Sequence, residues 1–340
     1  MSANIPIEYR TAESVSPGHP DKICDRISDA ILDAHLHEDK DARVAVDVAG
    51  GHGIVFVTGE VTSRAKAVDV PAIVRRIAGD VKLIENIAAQ SPEIAAGVDT
   101  GGAGDQGIMI GYATRETPEL LPLEVILARS LNQYLYERWP YDGKTQVTVR
   151  EREMTSIVAS FQHAPHDELE EAVKQWARTQ TWVSACFVKH RNGNPTLHIN
   201  PAGDWKIGGF DADAGLTGRK LAVDNYGPRT PVGGGAFSGK DPSKVDRSAA
   251  YAARQIAVDY LRQRPNAQEV FVRLAYAIGV AEPLEATVIL DGIPEQVVGY
   301  DTTPNGIIRW LDLRRPIYEK TAAYGHFGHG FTWEEPRTSV

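Results

Sequence analysis

The sequence predicts an α+β fold and not a doubly wound parallel sheet. Strands occur in pairs joined by short glycine turns, as in Val44–Val48 and Ile54–Thr62 with Gly50, Gly51 and Gly53 between them. Helical segments with an apolar stripe separate such pairs. The combination of helix and strand pair recurs about three times, without a sequence repeat that defines a unit. Hairpin strands combined with helices are typical of the α+β class.

Composition limits the function classes. A length of 340 residues is typical of about two or three domains. The net charge of -9 argues against nucleic acid as a partner, because no broad basic surface exists. Two distant cysteines, Cys24 and Cys186, predict a reducing compartment without a disulfide framework. The N-terminus has no signal-peptide core, and no apolar run reaches the ~20 residues that span a bilayer. We therefore expect a cytoplasmic protein without a membrane partner.

The first predicted helix begins at Pro20, which suits a first helical turn. Its start brings together His19, Asp21 and Lys22. Two interpretations stay open, a helix cap with surface charges or a functional site. The apolar stripe comprises Ile23, Ile27, Ala30, Ile31 and Ala34, and the charged residues outside it are Asp25, Arg26, Asp29 and Asp33.

Two acidic residues lie inside the first predicted hairpin, Asp47 and Glu60. Strands disfavour carboxylates, so these side chains either face water on the open side of the sheet or have a buried partner. Two helices are predicted to follow, over Val70–Ile77 and Val81–Ala89.

The middle of the chain contains a second glycine loop, Gly101–Gly107, ahead of the strand Ile108–Tyr112. Such a loop is usually only a turn, but it makes Asp105 a candidate for ligand contact. The turn 141–144 includes Asp142 and Lys144. The other predicted elements are the helix Leu123–Glu137, the hairpin of Thr145–Val149 and Met154–Gln162, the helix Asp167–Arg178, and short strands at Ala185–Lys189 and Leu197–Ile199.

Residues 200–219 are rich in turn residues and contain Trp205. A tryptophan in a loop is either an anchor on the local core or a platform for stacking. Asp211 and Asp213 suggest a calcium loop only loosely, because no glutamate closes the ligand series.

The stretch Gly233–Asp246 is the most informative one. Glycines followed by lysines and a helix form a ready anion site, since backbone N–H groups can approach a phosphate. Gly234 to Lys240 has Walker A spacing, but Asp241 replaces the Ser or Thr that would hold magnesium. We therefore expect a polyphosphate site that is not a P-loop, with Asp241 as N-cap and Pro242 as first helical residue.

The C-terminal region is predicted to contain the strands Val270–Ile278 and Ala286–Asp291 and a short helix near Ile307–Leu313. His326 and His329 lie among glycines near the end of the chain. Two histidines are too few ligands to predict a metal site there.

Several of these motifs together resemble one family, methionine adenosyltransferase, also called S-adenosylmethionine synthetase. The resemblance runs in order from about Glu13 to Gly328. It implies three similar α/β-sandwich-like domains in a pseudo-threefold arrangement, here 1–98, 99–207 and 208–340. The motifs are Gly18–Lys22, Gly102–Gly107, Gly215–Lys220, Gly233–Asp246, Ala275–Pro283 and Tyr324–Gly328.

The resemblance also implies a reaction. The methionine sulfur attacks the 5′ carbon of ATP, which yields S-adenosylmethionine and tripolyphosphate, and the latter is then hydrolysed to phosphate and diphosphate. It implies Mg²⁺, two ions per site, and K⁺. The implied assembly is a homodimer with active sites at the subunit interface, or a tetramer built from it.

Residue roles follow from the same resemblance. The expected catalytic residues are His19, Lys144, Arg219, Lys220 and Lys240. ATP contacts are expected from these five and from Asp142, Trp205 and Asp213. Methionine contacts are expected from Glu60, Asp105, Asp213 and Lys244. The expected metal ligands are Asp21 and Asp246 for Mg²⁺ and Asp47 for K⁺.

The chain departs from the family pattern in three places. Asp47 is one methylene shorter than the usual glutamate, Ala96 replaces a glutamine that helps bind methionine, and the connector Asp99–Gly102 is shorter than the family's gating loop. Two other functions stay open, a non-catalytic nucleotide-sensing subunit and a phosphotransferase that acts on the γ-phosphate of ATP.

Overall fold

The structure is a computed structural model that describes residues 9–90, 101–150, 153–180 and 195–336. Within these ranges the strands are β1 (Tyr9–Val15), β2 (Arg43–Gly51), β3 (Ile54–Thr62), β4 (Lys82–Ala88), β5 (Gly107–Thr114), β6 (Gly143–Arg150), β7 (Glu153–Phe161), β8 (Thr196–Ile199), β9 (Gly215–Leu216), β10 (Glu269–Tyr276), β11 (Glu285–Leu290) and β12 (Ile293–Gln296).

Eight helices are described in the same ranges. They are α1 (Pro20–Glu38), α2 (Val70–Ala78), α3 (Leu123–Arg138), α4 (His166–Thr179), α5 (Leu221–Asp224), α6 (Val245–Gln263), α7 (Pro304–Trp310) and α8 (Thr321–Tyr324), with 3₁₀ turns at Gly209–Asp211 and Thr332–Glu334.

The described strands form three four-stranded sheets, in the orders β4-β3-β2-β9, β1-β6-β7-β8 and β12-β11-β10-β5. Most neighbouring strands are antiparallel, while β3–β4 and β7–β8 are parallel. Helices α1, α3 and α6 each pack on one of these sheets. The predicted α+β fold is therefore confirmed.

Each sheet takes a strand from a distant part of the sequence. Strand β1 pairs with β6, β5 pairs with β10, and β9 pairs with β2. The sheets thus do not follow the segments 1–98, 99–207 and 208–340, and that division remains a prediction about the sequence.

Helix α6 is buried on nearly all sides and crosses the β12-β11-β10-β5 sheet. Small residues on both elements allow this close approach. A Cβ on Gly111 of β5 would lie only 2.0 Å from the carbonyl oxygen of Ala253 in α6. The packing fixes the start of α6, which carries Asp246.

Most of the predicted elements are confirmed within a few residues, but two predictions are wrong. The segment predicted as a helix over Val81–Ala89 is strand β4, which pairs in parallel with β3. Helix α6 begins at Val245, so neither Asp241 nor Pro242 has its predicted capping position. The backbone of Asp241 instead donates to Val44 O at 3.0 Å. The predicted strand Ala185–Lys189 and Cys186 lie outside the described residues.

Candidate active site

His19 is the N-cap of α1 and is almost fully buried. Its Nδ1 accepts the backbone N–H of Asp21 at 3.1 Å. Burial lowers the pKa of His19 to about 4, with further lowering by Lys220 and Lys144 and opposition from Asp21. The ring is therefore neutral at pH 7. Because Nδ1 accepts, the ring proton is on Nε2, which has no acceptor in the described ranges and can donate to a ligand.

Asp21 joins the start of α1 to the loop that follows β9. Its Oδ1 accepts the Leu216 N–H at 2.9 Å, and its Oδ2 accepts Lys220 Nζ at 2.5 Å. Arg219 Nε lies 3.5 Å from Oδ1. Burial raises the pKa of Asp21, but the hydrogen bonds from Lys220 and Leu216 bring it below its ordinary value. Arg219 and Lys220, two of the cations predicted for the site, are thus held beside His19.

The turn before β6 completes this group. A Cβ on Gly18 would meet the Tyr141 backbone at 2.7 Å, so the residue before His19 touches this turn. Asp142 Oδ2 accepts the Gly209 N–H at 3.0 Å, and burial raises the pKa of Asp142. We call the set the His19 cluster: His19, Asp21, Asp142, Lys144, Asp213, Arg219 and Lys220.

Trp205 lies beside the His19 cluster. Its carbonyl accepts the His163 N–H at 3.0 Å, and a Cβ on Gly208 would be 2.7 Å from its ring. The half-buried ring therefore contacts Gly208, and the N–H of the next residue, Gly209, binds Asp142.

A second group forms where the glycine loop meets α6. Asp246 Oδ1 accepts the Gly235 N–H at 2.9 Å, and Oδ2 accepts Lys240 Nζ at 2.5 Å. On the open face of the neighbouring sheet, partial loss of water raises the pKa of Asp47, Lys240 opposes this shift, and Glu60 adds to it. We call Asp47, Glu60, Lys240 and Asp246 the Asp246 cluster.

Different charges act on the main titratable group of each cluster. The charges that shift the pKa of His19 include no member of the Asp246 cluster, and those that shift the pKa of Asp47 include no member of the His19 cluster. In the described part of the chain, no three His, Cys, Asp or Glu residues are grouped to hold a metal. Asp21 and Asp246 would each offer an ion one carboxylate.

Lys244 and Asp105, two residues predicted to contact methionine, have other partners than the members of the two clusters. Lys244 Nζ donates to Asp241 Oδ2 at 2.5 Å. Asp241 also accepts the Val44 N–H at 2.7 Å, so its carboxylate fastens the glycine loop to β2. Asp105 is exposed, and its Oδ1 accepts the N–H of Gln106 at 2.8 Å. Ala96 lies outside the described residues.

Comparison with known proteins shows the family. The S-adenosylmethionine synthetase N-terminal domain model matches residues 8–98, the central domain model 100–205, and the C-terminal domain model 207–335. The chain belongs to the S-adenosylmethionine synthetase family. The sequence-based recognition is confirmed, and so is the assignment as an enzyme of the methionine adenosyltransferase class.

Curated members of the synthetase family match over nearly their full length. An S-adenosylmethionine synthase of Thermus thermophilus is 43% identical, with 96% of this chain and 95% of that protein covered. The one from Brachyspira hyodysenteriae is 42% identical, with 98% and 97% covered. That of Clostridium tetani is 42% identical, with 94% and 93% covered. Within the described ranges of this synthetase, no helix is long and apolar enough to cross a membrane.

Sequence reasoning missed one device of this synthetase, a row of four aspartates on α1. Each accepts a backbone N–H of a distant loop: Asp21 from Leu216, Asp25 from Gly218, Asp29 from Gly239, and Asp33 from Tyr318, at 2.8–3.0 Å. Their spacing of four residues places them on one helix face, and that periodicity was the available signal.

The prediction that Asp25 and Asp29 lie outside the buried side of α1 is wrong, because both are fully buried. Lys22 neutralises Asp25 at 3.0 Å, and Arg247 neutralises Asp29 at 2.6 Å. Burial of charge is tolerated because each carboxylate has both a cation and backbone donors.

Proposed function

We propose that this enzyme forms S-adenosylmethionine from ATP and L-methionine by attack of the methionine sulfur on the ATP 5′ carbon, and then hydrolyses the tripolyphosphate to phosphate and diphosphate. The observation that carries the proposal is the neutral His19 at the start of α1, with Lys220 held next to it by Asp21.

His19 serves the departing phosphate chain. Charge develops on the oxygen that leaves the 5′ carbon, and a neutral imidazole can donate its Nε2–H to that oxygen. The helix N-terminus adds a positive potential at the same place. Lys144, Arg219 and Lys220 supply the cationic contacts for the triphosphate. No protein nucleophile is required, because sulfur itself forms the new bond.

Magnesium fits the donor set of both clusters. Asp21 and Asp246 are buried carboxylates, and each already accepts two donors, a backbone N–H on Oδ1 and a lysine on Oδ2. Mg²⁺ prefers one or two carboxylates together with phosphate oxygens and water. We assign Asp21 and Asp246 as one ligand each, which accounts for two ions per site. Mg²⁺ held by these carboxylates would neutralise phosphate charge, and Lys220 and Lys240 would be available to pair with phosphate oxygens.

The remaining assignments concern methionine, adenine and potassium. Glu60 is exposed beside Asp47 and can accept the methionine ammonium, while Asp105, Asp213 and Lys244 are assigned to the substrate by family resemblance alone. We propose Trp205 as the stacking partner of adenine. Asp47 and Glu60 offer carboxylate oxygens to K⁺ on the same sheet face, and Asp47 is the assigned ligand.

A second copy of the chain is proposed to complete the site. Among the described residues the two clusters share no hydrogen bond or ion pair, although both hold residues assigned to one reaction. Asp47 and Glu60 share the open face of the β4-β3-β2 sheet with the exposed Ile54 and Ile84. Exposed apolar surface rimmed by charge marks interaction sites. A two-fold dimer would bring the Asp246 cluster of one protomer to the His19 cluster of its partner.

Product analysis tests the reaction. The enzyme is incubated with ATP, methionine, Mg²⁺ and K⁺, and the products are separated by chromatography. We expect S-adenosylmethionine, phosphate and diphosphate. Formation of ADP would indicate a γ-phosphate transferase, and no turnover of ATP would indicate a nucleotide-sensing subunit.

A further inference from the structure

A cavity of about 530 Å³ lies away from both clusters, between helix α3, the loop that precedes it and the segment after Phe327. Its apolar wall includes Pro118, Leu120 and Ile126. A volume of this size is in the range of pockets that enclose small molecules. None of the residues in the His19 or Asp246 clusters lines it.

Arg129 of α3 lines the cavity and is 96% buried, with 4% of its surface exposed. Its Nη1 donates to Phe327 O at 2.7 Å, but its buried Nη2 has no hydrogen-bond partner among the described residues. Burial lowers the pKa of Arg129 to about 10, so the guanidinium is charged at neutral pH. An unpaired N–H of a buried cation is costly, and an anionic acceptor would remove that cost.

Two unpartnered acceptors line the same cavity. Glu119 Oε2 and Gln180 Oε1 are both buried and accept no hydrogen bond from the residues that the structure describes. The Gln180 amide nitrogen is engaged, since it donates to Thr179 Oγ1 at 3.1 Å. The residues that line the cavity therefore hold one cationic donor and two acceptors, one of them anionic, that have no partner in the described part of the chain.

The other charged residues in the wall are already paired. Arg115 donates to the carbonyls of Ala267 and Leu261 at 2.7 and 2.5 Å. Glu116 accepts from Arg10 at 2.7 Å and from Arg229 at 3.0 Å. His329 is neutral at pH 7, because burial lowers its pKa to about 4. Arg129 and Glu119 are thus the charges that remain for a ligand.

We propose that this cavity is a second ligand site, which binds the α-amino-acid head group of a small molecule. The ligand carboxylate pairs with Arg129 Nη2, and the ammonium donates to Glu119 Oε2 and Gln180 Oε1. An isolated anion would leave both acceptors unsatisfied and would face Glu119. An apolar side chain of the ligand packs on Leu120 and Ile126. The site does not depend on the reaction proposed above.

Equilibrium dialysis of the full-length enzyme with radiolabelled leucine tests the site. Leucine has the head group and an apolar side chain. We expect saturable binding of one leucine per chain, and binding weaker by about tenfold or more for 4-methylpentanoate and for 3-methylbutylamine, each of which lacks one charge. Competition with S-adenosylmethionine then distinguishes a free amino acid from the same head group on a larger molecule.

Variants locate the binding. Glu119→Gln keeps the shape and Arg129→Met removes the cation, and each is expected to weaken leucine binding by about tenfold or more. Glu168→Gln, a matched change on the exposed face of α4, and His19→Ala should leave it unchanged. Absence of saturable binding would show that water alone fills the cavity and would overturn the proposal. Equal binding of all three probes, or binding that survives both Glu119→Gln and Arg129→Met, would also overturn it.

Discussion

Lys22 Nζ donates to Asp224 Oδ2 at 2.6 Å, a bond between residues 202 positions apart in the sequence. The same ammonium binds Asp25 Oδ2 at 3.0 Å, and Asp25 Oδ1 accepts the Gly218 N–H at 2.8 Å. Arg219 and Lys220 are therefore held from both sides, by Asp25 before them and by Asp224 after them. A buried ion group with these bonds is costly to open, and it sets the position of the two proposed phosphate contacts.

Replacement of Lys22 by Met should disturb this arrangement. It leaves two buried carboxylates without their cation, and we expect a loss of about 3–5 kcal/mol in the free energy of unfolding. Displacement of Arg219 and Lys220 should also lower kcat for S-adenosylmethionine formation by about 100-fold. Denaturant unfolding and steady-state kinetics measure the two effects.

Arg254→Met is the matched control for Lys22→Met. Arg254 forms a buried ion pair with Glu334 at 2.7 Å on another part of the fold. It should lose comparable stability but keep its kcat in the folded fraction. Equal kcat losses in the two variants would show that Lys22 acts only through stability.

Replacement of His19 by Ala tests the donor at the leaving oxygen. We expect ATP binding to persist, because Lys144, Arg219 and Lys220 remain, while kcat falls by about 100- to 1,000-fold. Isothermal titration with ATP and a product assay report the two quantities. His166→Ala, at the exposed start of α4, is the control for loss of an imidazole. Turnover of His19→Ala at the rate of the unmodified enzyme would refute the role assigned to His19.

Some residues of the candidate site could be selected from the sequence because their signals are local. His19 beside a helix start and Lys240 in a glycine loop were candidates from local spacing, while their roles and that of Asp246 came from the family resemblance. The burial of Asp25 could not be predicted in this way. Its carboxylate is stabilised by the cation of Lys22 and by the backbone N–H of the distant Gly218. A pattern of apolar residues identifies the buried face of a helix only where that face contains few buried charged residues.

Long-range pairing also explains the two wrong elements. In the segment 81–89, Val81, Ile84 and Ile87 have the spacing of a helix face, whereas Val81, Leu83 and Ile87 suit one face of a strand. The parallel partner β3 decides for the strand. Asp241 was an acceptable N-cap by type, and its Oδ1 does accept the Ser243 N–H, but its Oδ2 binds the Val44 N–H from β2 and α6 begins three residues later than predicted.

Acid should destabilise the enzyme partly through His329. Burial lowers its pKa in the folded state to about 4, whereas the unfolded chain takes up the proton near the ordinary value of 6.5. As pH falls from about 6.5 to 4, the unfolded state binds the proton first and stability is lost. His329→Gln should reduce the loss between pH 7 and pH 5 by about 1–2 kcal/mol. Denaturant unfolding at both pH values measures it, and identical losses with and without His329 would contradict the assignment.

The open face of the β4-β3-β2 sheet should be the dimer contact. Ile84 is 42% exposed on this face, next to Phe56 of β3. Ile84→Asp places a charge in the proposed contact and should shift the enzyme from dimer towards monomer, with loss of activity at low concentration. Sedimentation velocity measures the mass and also distinguishes dimer from tetramer. Val298→Asp, at an exposed apolar residue far along the chain, serves as the control. An unchanged mass for Ile84→Asp would place the contact elsewhere.

The central claim is that each active site combines the His19 cluster of one protomer with the Asp246 cluster of its partner. Co-expression of a His19→Ala chain and an Asp246→Asn chain with different tags allows purification of the mixed dimer. One of its two sites then carries both defects and the other carries neither, so we predict about half of the unmodified activity, while each variant alone is nearly inactive. A mixed dimer as inactive as the separate variants would show that each site lies within a single chain and would contradict the account.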